Sequence, residues 1–303
     1  MRHRLYVVLA LAILIGTNPP TVFSQAPRST PAASSSQTIR LSDFLATIRQ
    51  KAKALESSSG MRAGFQSFTA AHHLSSDSVR YSDYVLVRLI FEATRDAGFW
   101  NLHWSITDQP PNSDNIWRQW RTVTKPSLWE PTATAECDEL SALYAFLVER
   151  AGVKTVGLFW PTSNHTVAVW VLQPSNGAAI RVVVPTSQIF LEESDFFDTK
   201  KFDPWRQKTI YEYTRRDVPD SFELPKSLAD FFLQQIDKYA DASDLTLQHL
   251  RYLRDAVLNR QSTPDQAARE ALKLRASLAP GSTEDARAFQ TFADDMRLEL
   301  LRK

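Results

Sequence analysis

A mixed α+β fold is what this 303-residue sequence predicts, and three observations predict it. Apolar side chains at Leu140, Leu143, Tyr144, Leu147 and Ala151 recur at helical spacing. Two β-branched, aromatic-rich runs follow at 153–160 and 166–173, and Asn176-Gly177 then leads into a third at 178–184. Asn-Gly between apolar runs is the strongest short hairpin signal a sequence carries. Beyond Pro225 the pattern turns wholly helical.

Taken in order, the chain opens with Arg2 and Arg4 before an apolar run at 5–16, then Pro19-Pro20 and a cleavage-like Val22-Phe23-Ser24. Residues 1–24 therefore read as a signal peptide, with an uncleaved amino-terminal anchor as the alternative. The run is 12 residues long, against the roughly 20 a spanning helix needs. No later run is long and apolar enough to span, so the expected location is secreted or periplasmic, without a membrane once the signal is cleaved. Residues 25–38 are rich in Ser, Pro, Ala and Thr and read as a disordered linker. The rest divides into an α+β core at 39–224 with amino-terminal helices and a helical region at 225–303.

Within the core, residues 39–55 show an amphipathic pattern, and 81–97 predicts a second helix stopped by Gly98. From Trp100 to Trp129 periodicity collapses, prolines fall at 110, 111 and 126, and five of the eight tryptophans gather. That window predicts an aromatic-rich loop whose rings fill the core or line a groove. The Cys137 helix ends at Gly152, and Pro185 closes the last strand. Helices are expected at 227–239, 245–259, 264–276 and 284–302, separated by Asp241-Ala-Ser-Asp244, Ser262-Thr-Pro264 and Pro280-Gly281-Ser282.

Charge excludes one class of partner. Lys and Arg number 35 against 34 acidic residues, and no basic run is present to displace counterions from phosphates, so nucleic acid is not expected. The adjacent His72-His73 cannot converge on one ion and no ligand cluster accompanies them, so neither a metal nor an organic cofactor is expected.

Cys137 is the sole cysteine, so it closes no intramolecular disulfide. It opens a helix, where unpaired N–H groups and the positive dipole end favour a thiolate. An isolated cysteine on a helix is otherwise a small buried apolar residue. His165 lies 28 positions on, where the loop 161–164 enters a strand. A helix-start Cys and a strand-start His are the two groups that thiol acyl transfer needs. Glu136, Asp138 and Glu139 oppose ionisation of the thiol, or simply complement the helix dipole. Gln109 and Gln119 precede the Cys, as a papain-type oxyanion donor does, and neither is assigned that role.

The segment Ala135-Glu-Cys137-Asp-Glu-Leu-Ser-Ala-Leu-Tyr-Ala-Phe-Leu-Val-Glu-Arg-Ala-Gly152-Val, then Val-Gly-Leu-Phe159, His165-Thr-Val and Val183-Val-Pro185-Thr186, resembles the transglutaminase-like core. The resemblance covers residues 132–188. It implies a papain-like fold, a Cys-bearing helix packed on an antiparallel sheet, and a Cys-His-Asp acyl-transfer triad. Where the family carries Asp-Pro-Thr, this chain reads Val184-Pro185-Thr186, which leaves the third role unfilled. A two-residue Asn176-Gly177 turn places Gln188 opposite His165, which makes Gln188 the candidate orienter, with Thr186 or a water as alternatives. Two functions follow. One is an exported cysteine peptidase or amidase, or protein acyltransferase, in which Cys137 forms a thioester with a peptide or protein and His165 moves the proton. The other is an inactive member that binds peptide or a partner protein through the tryptophan-rich cleft. Oligomeric state is not legible.

Overall fold

The computed structural model describes residues 37–75, 78–174, 177–187, 196–212 and 217–300. The expected signal peptide, most of the expected linker, Asn176 and the candidate orienter Gln188 lie outside the described residues.

β1 (Thr38–Arg40) runs directly into α1 (Leu41–Leu55), followed by α2 (Ser59–Ala71) and α3 (Tyr81–Thr94). Next come β2 (Leu102–Trp104), α4 (Asp114–Trp120) and β3 (Ala133–Ala135), and a single residue separates β3 from α5 (Cys137–Ala151). The strands β4 (Val156–Thr162), β5 (His165–Leu172), β6 (Ile180–Val184), β7 (Tyr211–Glu212) and β8 (Glu223–Pro225) precede α6 (Lys226–Tyr239), α7 (Asp244–Leu258), α8 (Pro264–Ala276) and α9 (Thr283–Leu300). The mixed α+β class and the four terminal helices match what the sequence predicts.

Helix α5 is the axis of the molecule. Leu140, Ala142, Leu143, Tyr144, Ala145, Phe146, Leu147 and Val148 are all buried, so no face of it meets water over two turns. It packs on α1, α3 and α4 on one side and on β4 and β5 on the other. Its end is set by Gly152, whose φ of +117° an L side chain adopts only with strain.

β4 to β7 form one antiparallel sheet in the order β6-β5-β4-β7. Ala168, Trp170, Val182 and Val184 join the main core with α5, while Phe159, Val167, Val169 and Val183 form a second cluster covered by Phe202 and Ile210. Burial of both faces explains why these strands read as nearly continuous apolar runs rather than as alternation.

The window from Trp100 to Trp129 departs from the expected loop. It contains β2 and α4, and β2 pairs in parallel with β3. Trp100, Trp117 and Trp120 are fully buried. They are core residues, so for these three rings the core-filling reading holds and the groove-lining alternative does not. Propensity over a seven-residue helix is too short a signal to stand out, so tertiary burial of Ile116, Trp117 and Trp120 decides its conformation. Helix α3 also stops earlier than Gly98, at Thr94, because the N–H groups of Phe99 and Trp100 fold back onto the carbonyls of Glu92 and Ala93. Gly98 serves that close approach: a Cβ there would lie 2.4 Å from the Glu92 carbonyl oxygen. α2 gives only a weak helical signal in the sequence, which carries Gly60 and Gly64 and few large apolar residues.

The helical carboxy-terminal region is continuous with the core. β8 pairs antiparallel with β1, matching Thr38 to Pro225. From α6, Phe232 stacks on Trp100 at 4.6 Å between ring centroids and meets Trp120 edge-on at 5.0 Å. We expect Phe232→Ala to cost about 3–5 kcal/mol, as large-to-small changes at buried aromatics do. Urea unfolding followed by tryptophan fluorescence measures it; a loss under about 1 kcal/mol would show that α6 is only loosely docked.

Candidate functional site

The start of α5 is covered from above by the loop after β2. Glu139 Oε2 accepts the Glu136 N–H at 3.0 Å and the Thr107 hydroxyl at 2.5 Å, while Oε1 accepts from Asn115 Nδ2 at 2.9 Å. The Glu136 carboxylate accepts the N–H groups of Gln109 at 3.2 Å and Thr107 at 3.4 Å. Asp138 Oδ1 accepts the Glu139 N–H at 2.8 Å. These acidic side chains serve the orphan donors of a half-buried helix start. Among the described residues their oxygens are the one group of metal-type ligand atoms that converges. Their lone pairs already serve this loop, so the cluster is read as a cap.

Cys137 is 9% exposed, and its sulfur accepts the backbone N–H of Thr166 at the start of β5. Below it Ser141 Oγ joins three elements. It lies 2.7 Å from the Cys137 carbonyl oxygen, 3.2 Å from that of Thr166 and 2.7 Å from the Thr186 hydroxyl. The thiol is thereby seated against the backbone of the residue that follows His165. Burial, then the carboxylates of Asp138 and Glu136, push the thiol up from its ordinary value despite the N–H groups that favour a thiolate. Burial and the neighbouring Glu136 likewise push Asp138 up to about 6.

His165 is placed differently. It has the parity of Val167 and Val169, on the sheet face away from α5, and its ring centroid lies 5.3 Å from that of Phe202 in the covering segment. Burial, aided by the Lys201 ammonium, pushes the imidazole down to about 4, so it is neutral at pH 7. Cys137 and the start of β5 are brought together by the Thr166 N–H at the sulfur.

The register of β5 and β6 changes the reading of the third position. Leu172 faces Ile180 and Ala168 faces Val184. Continued past the end of β6, this register sets His165 opposite Ser187, one residue short of Gln188, because the connection is longer than a two-residue turn. Ser187 is 3% exposed, and its hydroxyl has no hydrogen-bond partner among the described residues. Val184 sits on the α5 face. A carboxylate there would be turned to the opposite face from His165. Thr186 is engaged by Ser141. Gln119 is also committed, since its amide brackets Thr134 through that residue's N–H at 2.9 Å and carbonyl at 2.8 Å. Gln109 lies beside the helix start through its backbone. Ser141 and Ser187 were not singled out in the sequence, where lone serines carry no signal; only the strand register brings Ser187 forward.

No family model, no curated protein and no solved structure matches the chain.

The depressed imidazole has a measurable consequence. The unfolded ring takes its proton near 6.5, the folded ring only at about 4, so the unfolded chain binds more protons between those values. Stability from this group is therefore present above about pH 6.5 and is lost as pH falls toward 4. Asp138 and Asp255, each pushed up to about 6, contribute the opposite slope in the same window, so the readout is the difference between chains: as pH falls from 6.5 toward 4, His165→Gln should gain stability relative to the wild type, and a constant difference would place the titration elsewhere.

Proposed function

We propose that this chain is an exported, non-catalytic domain built on a transglutaminase-like, papain-like core, and that it works by binding a peptide or partner protein. The observation that carries the reading is the setting of the sulfur: the backbone N–H groups of Thr166 and Asp138 face it, while burial and the carboxylates of Asp138 and Glu136 push the thiol up. A thiolate-imidazolium pair is the resting state that makes such a cysteine nucleophilic, and here burial and carboxylates favour the neutral thiol while burial favours the neutral ring. Export is supported by Arg2 and Arg4 ahead of the apolar run at 5–16. The resemblance over residues 132–188 supports the finer fold assignment. Binding is no longer ascribed to the tryptophans, since three of them are enclosed in the core.

One observation favours the enzymatic reading as a second possibility. The sulfur touches the backbone at the residue following His165, so the two groups are separated by a local rearrangement and not by the length of the fold. In that reading Cys137 attacks an amide carbonyl, His165 carries the thiol proton to the leaving amine, and water or an amine resolves the thioester.

Alkylation by iodoacetamide near neutral pH separates the two. The non-catalytic reading predicts that native Cys137 reacts more slowly than a model thiol, by about tenfold or more, and reaches the model rate on unfolding in urea. Faster labelling of the native chain than of the model thiol, together with peptide amide hydrolysis lost in Cys137→Ala, would establish the enzyme instead.

A further inference from the structure

The sheet face turned away from α5 is covered by one length of chain that leaves from β6 and returns at β7, the two outer strands. At β6 the Asp198 N–H donates to the Val183 carbonyl at 2.9 Å, and Asp198 Oδ2 lies 2.7 Å from Nε2 of His72, just past α2. One residue earlier, Phe197 is buried against Phe68, Tyr84 and Phe91. At the far end Tyr211 pairs with Leu158 of β4. Between these anchors Phe202 and Ile210 pack on Phe159, Val167, Val169 and Val183. The Phe202 ring stands beside that of His165, which is only 2% exposed.

Little apolar area holds the middle of this segment down. From residue 200 to 211 no residue is buried, and a space of about 260 Å³ lies between it and β6, bounded by Ile180, Val183, Phe202, Pro204 and Trp205. A side chain on β6 grips it instead. Arg181 Nη1 donates to the carbonyls of Pro204 at 2.9 Å and Gln207 at 2.6 Å, Nη2 donates to that of Lys208 at 2.7 Å, and the guanidinium lies 4.3 Å over the Trp205 ring. Gln207 Oε1 adds a second tie by accepting the Trp160 N–H at 2.9 Å. The planar fork of an arginine reaches three carbonyls in fixed directions, which the point charge of a lysine cannot do. Anchored ends, an unburied middle and a polar clasp are the marks of a unit that opens at lower free energy than the whole fold.

We propose that residues 199–210 form a strap latched by Arg181, which closes over His165 and the apolar sheet face and opens between its two anchored ends without unfolding of the core. Opening lifts Phe202 from the imidazole and uncovers the cluster of Phe159, Val167, Val169 and Val183. The clasp acts on main-chain carbonyls, so its strength depends on Arg181 more than on the side chains of the strap. The inference concerns access to the ring, so it stands whether or not Cys137 is reactive.

Carbethoxylation by diethyl pyrocarbonate at pH 7, read histidine by histidine by mass spectrometry on the full chain, tests it. In the wild type the rate at His165 should rise in urea well below the concentration at which circular dichroism reports global unfolding, because only the strap has to move. Arg181→Lys, which keeps the charge and loses the fork, and Arg181→Ala should each raise the His165 rate without urea by about tenfold or more, the effect of removing charge-assisted hydrogen bonds. The rate at His249 and the circular dichroism should stay as in the wild type. A wild-type His165 rate that follows global unfolding alone would overturn the proposal, and so would an unchanged His165 rate in a folded Arg181→Lys variant. The urea series uses the wild-type chain, so it decides the matter even if a variant does not fold.

Discussion

A helix buried on every side sets the terms for the rest of this molecule. α5 runs through the core with its apolar residues enclosed by three helices and a sheet, and the backbone groups at its ends that have no partner within the helix take partners from the segments around it. At one end Gly152 turns the chain in the left-handed region and frees it to start β4. At the other end carboxylates of Glu136, Asp138 and Glu139 take the N–H groups and pin the loop at 105–115 over the helix start. Cys137 stands in the midst of this cap. The groups that allow the helix to begin inside the protein are also the groups that hold the thiol neutral.

The sheet imposes the second constraint. β4, β5 and β6 each place residues in both buried layers, so neighbouring residues are committed to different layers. Thr166 offers its N–H to the sulfur while His165 belongs with Val167 and Phe202. Ser141 and Thr186 then lock the start of β5 and the exit of β6 to the first turn of α5. A carboxylate introduced at Val184 would face α5, and Ser187 is the residue that the register brings across from His165. Proximity in the chain and proximity of reactive groups are thus different things in this fold.

Much of this architecture was legible because it rests on periodicity strong enough to survive without context. The Cys137 helix with its glycine stop, the three strands after it and the four terminal helices all follow from apolar spacing and from Ser, Thr, Pro and Gly at their ends. What escaped was short or was decided by packing. β2, β3 and β8 are three residues each, and α4 is held by two buried tryptophans. Gly60 and Gly64 hid α2 by lowering its helical signal. In the candidate site the sequence located Cys137 at a helix start and His165 at a strand start, and both lie there. It left open whether the acidic residues beside the thiol were cap or obstacle, and in the fold they are both. The pairing of Gln188 was beyond reach because register depends on the length of the turn, and a slip of one residue exchanges the faces of a strand.

The account turns on the protonation of one sulfur. Titrating the ultraviolet absorbance of the thiolate in the native chain, with Cys137→Ser as the blank, measures it directly. Burial and the adjacent carboxylates predict a midpoint above the ordinary thiol value of about 8.5, with no thiolate at neutral pH. A thiolate already present at pH 7 would contradict the account and return Cys137 and His165 to the role of a catalytic pair.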